Sequence, residues 1–143
     1  PGGSSTPMLK PEVLDQGLTL DYEAIAAAGS MLGSGGVIVV GSQACIVRTV
    51  MRLAEFYRHE SCGKCIPCRE GTDWMYLILK RIEEGGGREA DLDLLLKICD
   101  NISGKSFCPL GDAAIGPVRS SIQLFREEYL HHIHHGRCLV ESA

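Results

Sequence analysis

Apolar positions in the second half of the chain recur with the period of an α-helix. Ile46, Val50, Leu53 and Tyr57 are spaced by four, three and four residues, one face of a helix ending near His59. Trp74, Ile78 and Ile82 predict a second helix, closed by Gly85-Gly86-Gly87. Leu92, Leu95, Cys99 and Ile102 predict a third, ending at Gly104. Val118, Ile122, Phe125, Tyr129 and Ile133 predict a fourth, with Pro117 in its first turn, where no amide donor is needed. Four amphipathic helices with short connections predict a mainly α fold, a four-helix bundle.

Residues 1–44 follow another pattern, rich in glycine and poor in charge. Asp21-Tyr22-Glu23 followed by Ala24-Ile25-Ala26-Ala27-Ala28 predicts a short helix stopped by Gly29. Gly33-Ser34-Gly35-Gly36 reads as a turn into Val37-Ile38-Val39-Val40, whose β-branched run predicts a buried strand. A dinucleotide-binding loop needs the order strand, loop, helix. Here the glycines precede the strand, so a turn is the better reading. The opening PGGSSTPMLK has no initiator Met and lacks the charged-then-apolar order of a secretory signal, which predicts a piece of a longer polypeptide.

Composition then narrows the function classes. An apolar fraction of 45% over 143 residues suffices for the core of one ordinary domain. A net charge of -4 argues against nucleic acid as a partner, because phosphate neutralisation requires a basic face. The longest apolar runs are only a few residues, so no direct membrane insertion is expected. The cysteines number 7, an odd count that cannot pair off completely in disulfides. Clustered thiols without a secretory signal point to a metal site or redox chemistry.

The densest group lies in ESCGKCIPCREG, where Cys62, Cys65 and Cys68 follow C-x2-C-x2-C. Such a run can hold three irons of a [4Fe–4S] cube, because a ligand every third residue lets the loop curl around it. Gly63 permits the curvature, and Pro67 is expected to stiffen the curl ahead of the next helix. One zinc ion is usually gripped by two separated ligand pairs, which this spacing fits less well. A zinc-stabilised interaction module is nevertheless the rival reading from another class. A fourth ligand must come from elsewhere, because Arg69, Glu70, Gly71 and Thr72 follow Cys68. Cys99 occupies the apolar stripe of the third helix and reads as a buried hydrophobe. Cys138 falls in a polar tail expected to fray. Cys108, in the interhelical loop Ser106-Phe107-Cys108-Pro109-Leu110-Gly111, is therefore the fourth candidate. In an antiparallel bundle the loops at 60–71 and 103–112 emerge at the same end. Lys64 and Arg69 would offset the negative charge of four thiolates. Cys45 has no His or Lys near it in sequence and offers no nucleophile. His131, His132, His134 and His135 read as a solvated tail, with a divalent metal site including Cys138 as the alternative.

ESCGKCIPCREGTDW and SFCPLGDAA resemble the flavoprotein subunit of NADH:quinone oxidoreductase, respiratory complex I, which binds FMN and oxidises NADH. PGGSSTPML, DYEAIAAAGSMLGSGGVIVV, EFYRHES and FREEYLHH resemble it in the same order. The resemblance implies that Cys62, Cys65, Cys68 and Cys108 are the ligands of a [4Fe–4S] cluster. It implies that residues 1–44 are the C-terminal part of a ubiquitin-like β-grasp domain, and 45–143 a helical iron–sulfur domain with a polar tail. Electrons would pass from NADH via FMN toward quinone. Expected partners are other hydrophilic-arm subunits, including a 2Fe-2S subunit and a multi-cluster subunit, at the cytoplasmic side of the inner membrane. The family's FMN and NADH sites lie on an N-terminal Rossmann-like region with no counterpart in these residues, so no residue here is assigned to either. The same module occurs in flavin subunits of NAD-linked hydrogenases and formate dehydrogenases, some of which continue into a ferredoxin-like segment. An end at Ser142-Ala143 is expected to favour complex I.

Overall fold

Residues 1–140 are described by a computed structural model, and every regular element among them is helical. A 3-10 turn at Gly3–Ser5 precedes two short helices, α1 (Pro11–Leu14) and α2 (Tyr22–Ala27). Four longer helices follow: α3 (Ile46–Glu60), α4 (Ile66–Glu83), α5 (Glu89–Ile102) and α6 (Leu110–Leu124). α3 and α5 each pack against both α4 and α6, which closes the bundle expected from the apolar periodicity. α7 (Arg126–His135) lies across it, touching α3, α4 and α6. Val47, Val50, Met75, Leu79, Ile82, Leu92, Leu95, Ile102 and Ile122 fill the core. Full burial of each such side chain stabilises the fold by about 1.5–3 kcal/mol.

Three details depart from the sequence pattern. Trp74 is 52% exposed, so the buried face of α4 runs through Met75, Ile78, Leu79 and Ile82 instead. Helix α4 also starts earlier than expected, with Pro67 inside its first turn, where its missing N–H costs nothing. The single fourth helix is two. α6 begins at Leu110, which leaves Pro117 inside it, and the chain breaks at Phe125 (φ -127, ψ 33) before α7. The Ser120 and Ser121 hydroxyls near that break donate back to the carbonyls of Gly116 and Val118, at 2.9 Å each, a competition that loosens a helix. A buried 2.7 Å hydrogen bond between Ser121 Oγ and Tyr129 Oη then ties α7 to α6.

The first part of the chain is helical where expected. The Asp21 carboxylate caps α2 by accepting from the Ala24 N–H at 2.7 Å, and Gly29 at φ 86 follows its end. The Gly33–Gly36 turn forms, with the Gly35 N–H donating to the Leu32 carbonyl. The strand at Val37–Val40 does not form, and Val39 is 86% exposed. Its β-branched residues favour extended backbone, but a strand requires a ladder partner, and the described residues offer none. The β-grasp expected for 1–44 is accordingly not seen. Residues 1–8 dock on the bundle instead. The Met8 N–H donates to Ser120 Oγ at 2.9 Å, and Ser4 Oγ lies 3.0 Å from Tyr57 Oη. Gly116 permits this approach, since a Cβ there would stand 2.7 Å from the Ser5 carbonyl oxygen. The end of the chain at Ser142-Ala143 lies outside the described residues.

Candidate metal centre

The connection from α3 to α4 is short, and glycine sets its shape. Gly63 adopts φ 77, a left-handed conformation that any side chain would strain. Cys65 is the residue capping α4, and Cys68 lies in the first turn, buried, with its Sγ 3.5 Å from Ser61 Oγ. Cys62 is exposed and Cys65 half-buried. The loop after α5 turns at Gly104 (φ 66), whose N–H donates to Asp112 Oδ1 at 2.8 Å.

The two loops meet. The Phe107 backbone N–H donates to Cys65 Sγ at 3.3 Å, across 42 residues of sequence. Lys64 Nζ sits 4.8 Å from the centroid of the Phe107 ring. The next residue, Cys108, is thereby carried to the three-cysteine loop, with its side chain exposed. Ile102, buried at the end of α5, fixes this junction. A Cβ at Gly71 would stand 2.5 Å from its Cδ1, and a Cβ at Gly111 2.9 Å from its Cγ2. The lack of a Cβ at both positions lets α4 and α6 close on that side chain. Helix N-termini favour negative charge through their free N–H groups and the macrodipole. Arg69 braces the loop, donating to the Gly63 carbonyl at 2.9 Å and to Glu70 Oε1 at 2.7 Å.

These donors suit an iron–sulfur cube. A backbone N–H already points at one thiol, the kind of contact that tunes such clusters. No three of these four thiols gather within 4.8 Å, as ligands of one ion would; corners of a cube stand farther apart. Cys99 is fully buried beside Met75 Sδ at 3.9 Å, as its place in the apolar stripe predicts, and burial pushes its thiol up to about 12.

A second group of donors adds Cys45 to two members of the divalent-site alternative, His132 and Cys138. Cys45 Sγ lies 3.2 Å from His132 Nε2, although the residues are 87 apart in sequence. Cys45, His132 and Cys138 bring one donor atom each within 4.8 Å of one another. His132 is 1% exposed, not part of a solvated tail, whereas His134 and His135 are exposed as expected. Cys138 is half-buried and packs against the core, where a frayed tail was expected. The available signal was spacing: His132 follows the buried Tyr129 by three residues and so shares its helix face. Burial raises the Cys45 thiol to about 12 and lowers His132 from its ordinary value. This group sits at the start of α3 and the three-cysteine loop at its end. The 15 residues between put the two about 22 Å apart.

The family described as NADH-ubiquinone oxidoreductase-F iron-sulfur binding region matches residues 48–132, more than half of the chain. That span contains Cys62, Cys65, Cys68, Cys99 and Cys108 and leaves out Cys45 and Cys138. The F subunit of the NADH-quinone oxidoreductase of Mycobacterium tuberculosis (strain H37Rv) is 56% identical over 138 residues, 96% of this chain and 31% of that protein. Its Streptomyces coelicolor namesake is 54% identical over 143 residues, 100% of this chain and 31% of that protein. The chain thus spans about a third of the length of these curated relatives. Among solved structures, an NAD+-reducing [NiFe]-hydrogenase in the H2-reduced state aligns with a TM-score of 0.69 at 31% identity, over 73% of this chain and 18% of that one. With the cysteine loops, their helical frame and these likenesses in agreement, the chain belongs to the NADH-ubiquinone oxidoreductase-F iron-sulfur binding region family, whose cofactor is a [4Fe–4S] cluster.

Proposed function

We propose that this chain serves electron transfer in the NADH-oxidising subunit of an NADH:quinone oxidoreductase, with Cys62, Cys65, Cys68 and Cys108 as the ligands of its cluster. The bound group supplies one-electron redox chemistry. The chain's own residues supply place and environment. The observation that carries the reading is the Phe107 N–H on Cys65 Sγ, which seats the Cys108 loop on the three-cysteine loop. Cys68, buried in the first turn of α4, anchors the inner side of the site, and exposed Cys62 and Cys108 its outer side. Lys64 over the Phe107 ring places positive charge beside the thiols. Of the five cysteines within the family's span, Cys99 alone is buried away from both loops.

The remaining parts of the reading rest on the likeness to longer relatives. FMN and NADH are assigned to the part of the full protein outside this segment. The partners are other hydrophilic-arm subunits, among them a 2Fe-2S subunit and a multi-cluster subunit. The complex would hold the chain peripherally at the cytoplasmic side of the inner membrane, in keeping with the lack of any membrane-crossing helix among the described residues. Residues 1–44 would complete a β-grasp domain, which would give the apolar Val37–Val40 run a sheet to join. The hydrogenase likeness favours a second reading, the cluster domain of an NAD-linked hydrogenase flavin subunit. The higher identity to the NADH-quinone oxidoreductase relatives ranks it second.

The test is reconstitution of the full chain and its single Cys→Ala variants under anaerobic conditions. Iron and acid-labile sulfide should each approach about four per chain, with the reduced form giving an electron paramagnetic resonance signal. Cys108→Ala should lose or convert that signal, while Cys99→Ala and Cys138→Ala keep it. Retention in Cys108→Ala, or zinc held by four sulfurs in place of iron, would overturn the assignment.

A further inference from the structure

We propose that Cys45 Sγ, Cys138 Sγ and His132 Nε2 form a second metal site, for one Zn2+ ion, at the opposite end of the bundle from the cluster cysteines. Four segments converge there. Cys45 caps α3, Glu83 ends α4, His132 sits on α7, and Cys138 follows it. The three donor atoms lie within 4.8 Å of one another, close enough for one ion to replace their mutual contacts. Two sulfurs and an imidazole make the donor set that tetrahedral zinc takes, the fourth position going to an oxygen or water.

Two further features point to an ion. The first is His132 Nδ1, a buried nitrogen with no hydrogen-bond partner. Glu83 Oε2 stands 3.6 Å from it, held there because Arg48 Nε donates to Glu83 Oε1 at 2.6 Å. A small closure would let Nδ1–H donate to that carboxylate. That would fix the tautomer that leaves Nε2 free for a metal, the usual arrangement behind a zinc-bound histidine. The second is the backbone around it. Gly136 at φ 64 ends α7 and turns the chain back, which returns Cys138 toward Cys45. Gly85 in the turn after α4 accommodates that reversal, because a Cβ there would stand 2.8 Å from Gly136 Cα. A thiol–imidazole hydrogen bond alone would satisfy Nε2. It would not account for the second thiol, Cys138 Sγ, gathered within reach of the same two donors.

The site stands apart from the electron-transfer reading, and the two fail separately: iron content reports one and zinc content the other. The experiment takes the full chain, purified without chelator from medium containing both metals. Metals are counted by mass spectrometry and the zinc shell is read by X-ray absorption. About one zinc per chain is expected, with two sulfurs at about 2.3 Å and two nitrogen or oxygen atoms at about 2.0–2.1 Å. Cys138→Ser should cut zinc occupancy by roughly tenfold or more while iron stays unchanged. Glu83→Gln keeps the shape of the side chain and should weaken zinc affinity by about 10–100-fold with circular dichroism unaltered. It carries the test if Cys138→Ser fails to fold. A folded chain without zinc, a four-sulfur zinc shell, another metal at these ligands, or a mass two hydrogens light with a Cys45–Cys138 disulfide would each overturn the proposal.

Discussion

At the scale of single residues, the roles of the cysteines separate by exposure. Cys99 is sealed in the core with its thiol pushed up to about 12, so it stays neutral and unreactive at ordinary pH. In the metal-free chain, timed alkylation followed by mass spectrometry should modify Cys62 and Cys108 first and Cys99 last. Early loss of the Cys99 thiol would mean that the core is not packed as described. Gly71 is the second informative residue. Gly71→Ala drives a methyl into Ile102, an overpacking that should cost about 1–3 kcal/mol in denaturant unfolding and lower iron retention with it. The meeting of the Cys108 loop with the three-cysteine loop was legible because C-x2-C-x2-C is a local pattern and helix order puts both loops at one end. The Cys45–His132 contact was not legible, because nothing local marks a pairing across 87 residues.

Helices were legible wherever one face is buried and the other wet. α3 and α5 match their apolar periods closely, and α2 matches its cap and its stop. The pattern misled at α4, where Trp74 keeps a helical spacing with Ile78 yet points outward. Several neighbouring apolar residues allowed two phases, and only the packing partner selected one. It misled again at α6 and α7, where one unbroken apolar period spans two helices. Periodicity reports which face is buried and says little about a one-residue kink at Phe125. The Ser121–Tyr129 hydrogen bond holds that kink closed, and burial raises the Tyr129 hydroxyl so that it stays protonated. Tyr129→Phe should lower stability by about 0.5–1.5 kcal/mol, since Ser121 keeps its bond to the Val118 carbonyl. A larger loss would show that the kink depends on this contact alone.

On the scale of the whole molecule, the two thiol groups occupy opposite ends of the α3–α4 pair, about 22 Å apart. Among the described residues the core between them is mostly Val, Ile, Leu and Met. Perturbations at the two ends should therefore add. The stability loss of the Cys108→Ala, Cys138→Ser double variant should equal the sum of the single losses within about 0.5 kcal/mol. A larger coupling energy would reveal a packed path between the ends.

The unpaired Val37–Val40 run has a consequence outside the folded molecule. Three valines and an isoleucine stand in solvent without a ladder to close their backbone N–H and C=O groups, and Val39 is 86% exposed. A short, uncharged, β-branched segment of this kind is a template on which other chains can add strands. The practical outcome is colloidal: light scattering of the isolated chain should rise steeply with concentration while its helical content stays constant. Val39→Lys introduces a charge that such stacking would have to bury, and it should raise the soluble limit without moving the unfolding midpoint. If Val39→Lys scatters as strongly as the parent chain, the adhesive surface lies elsewhere.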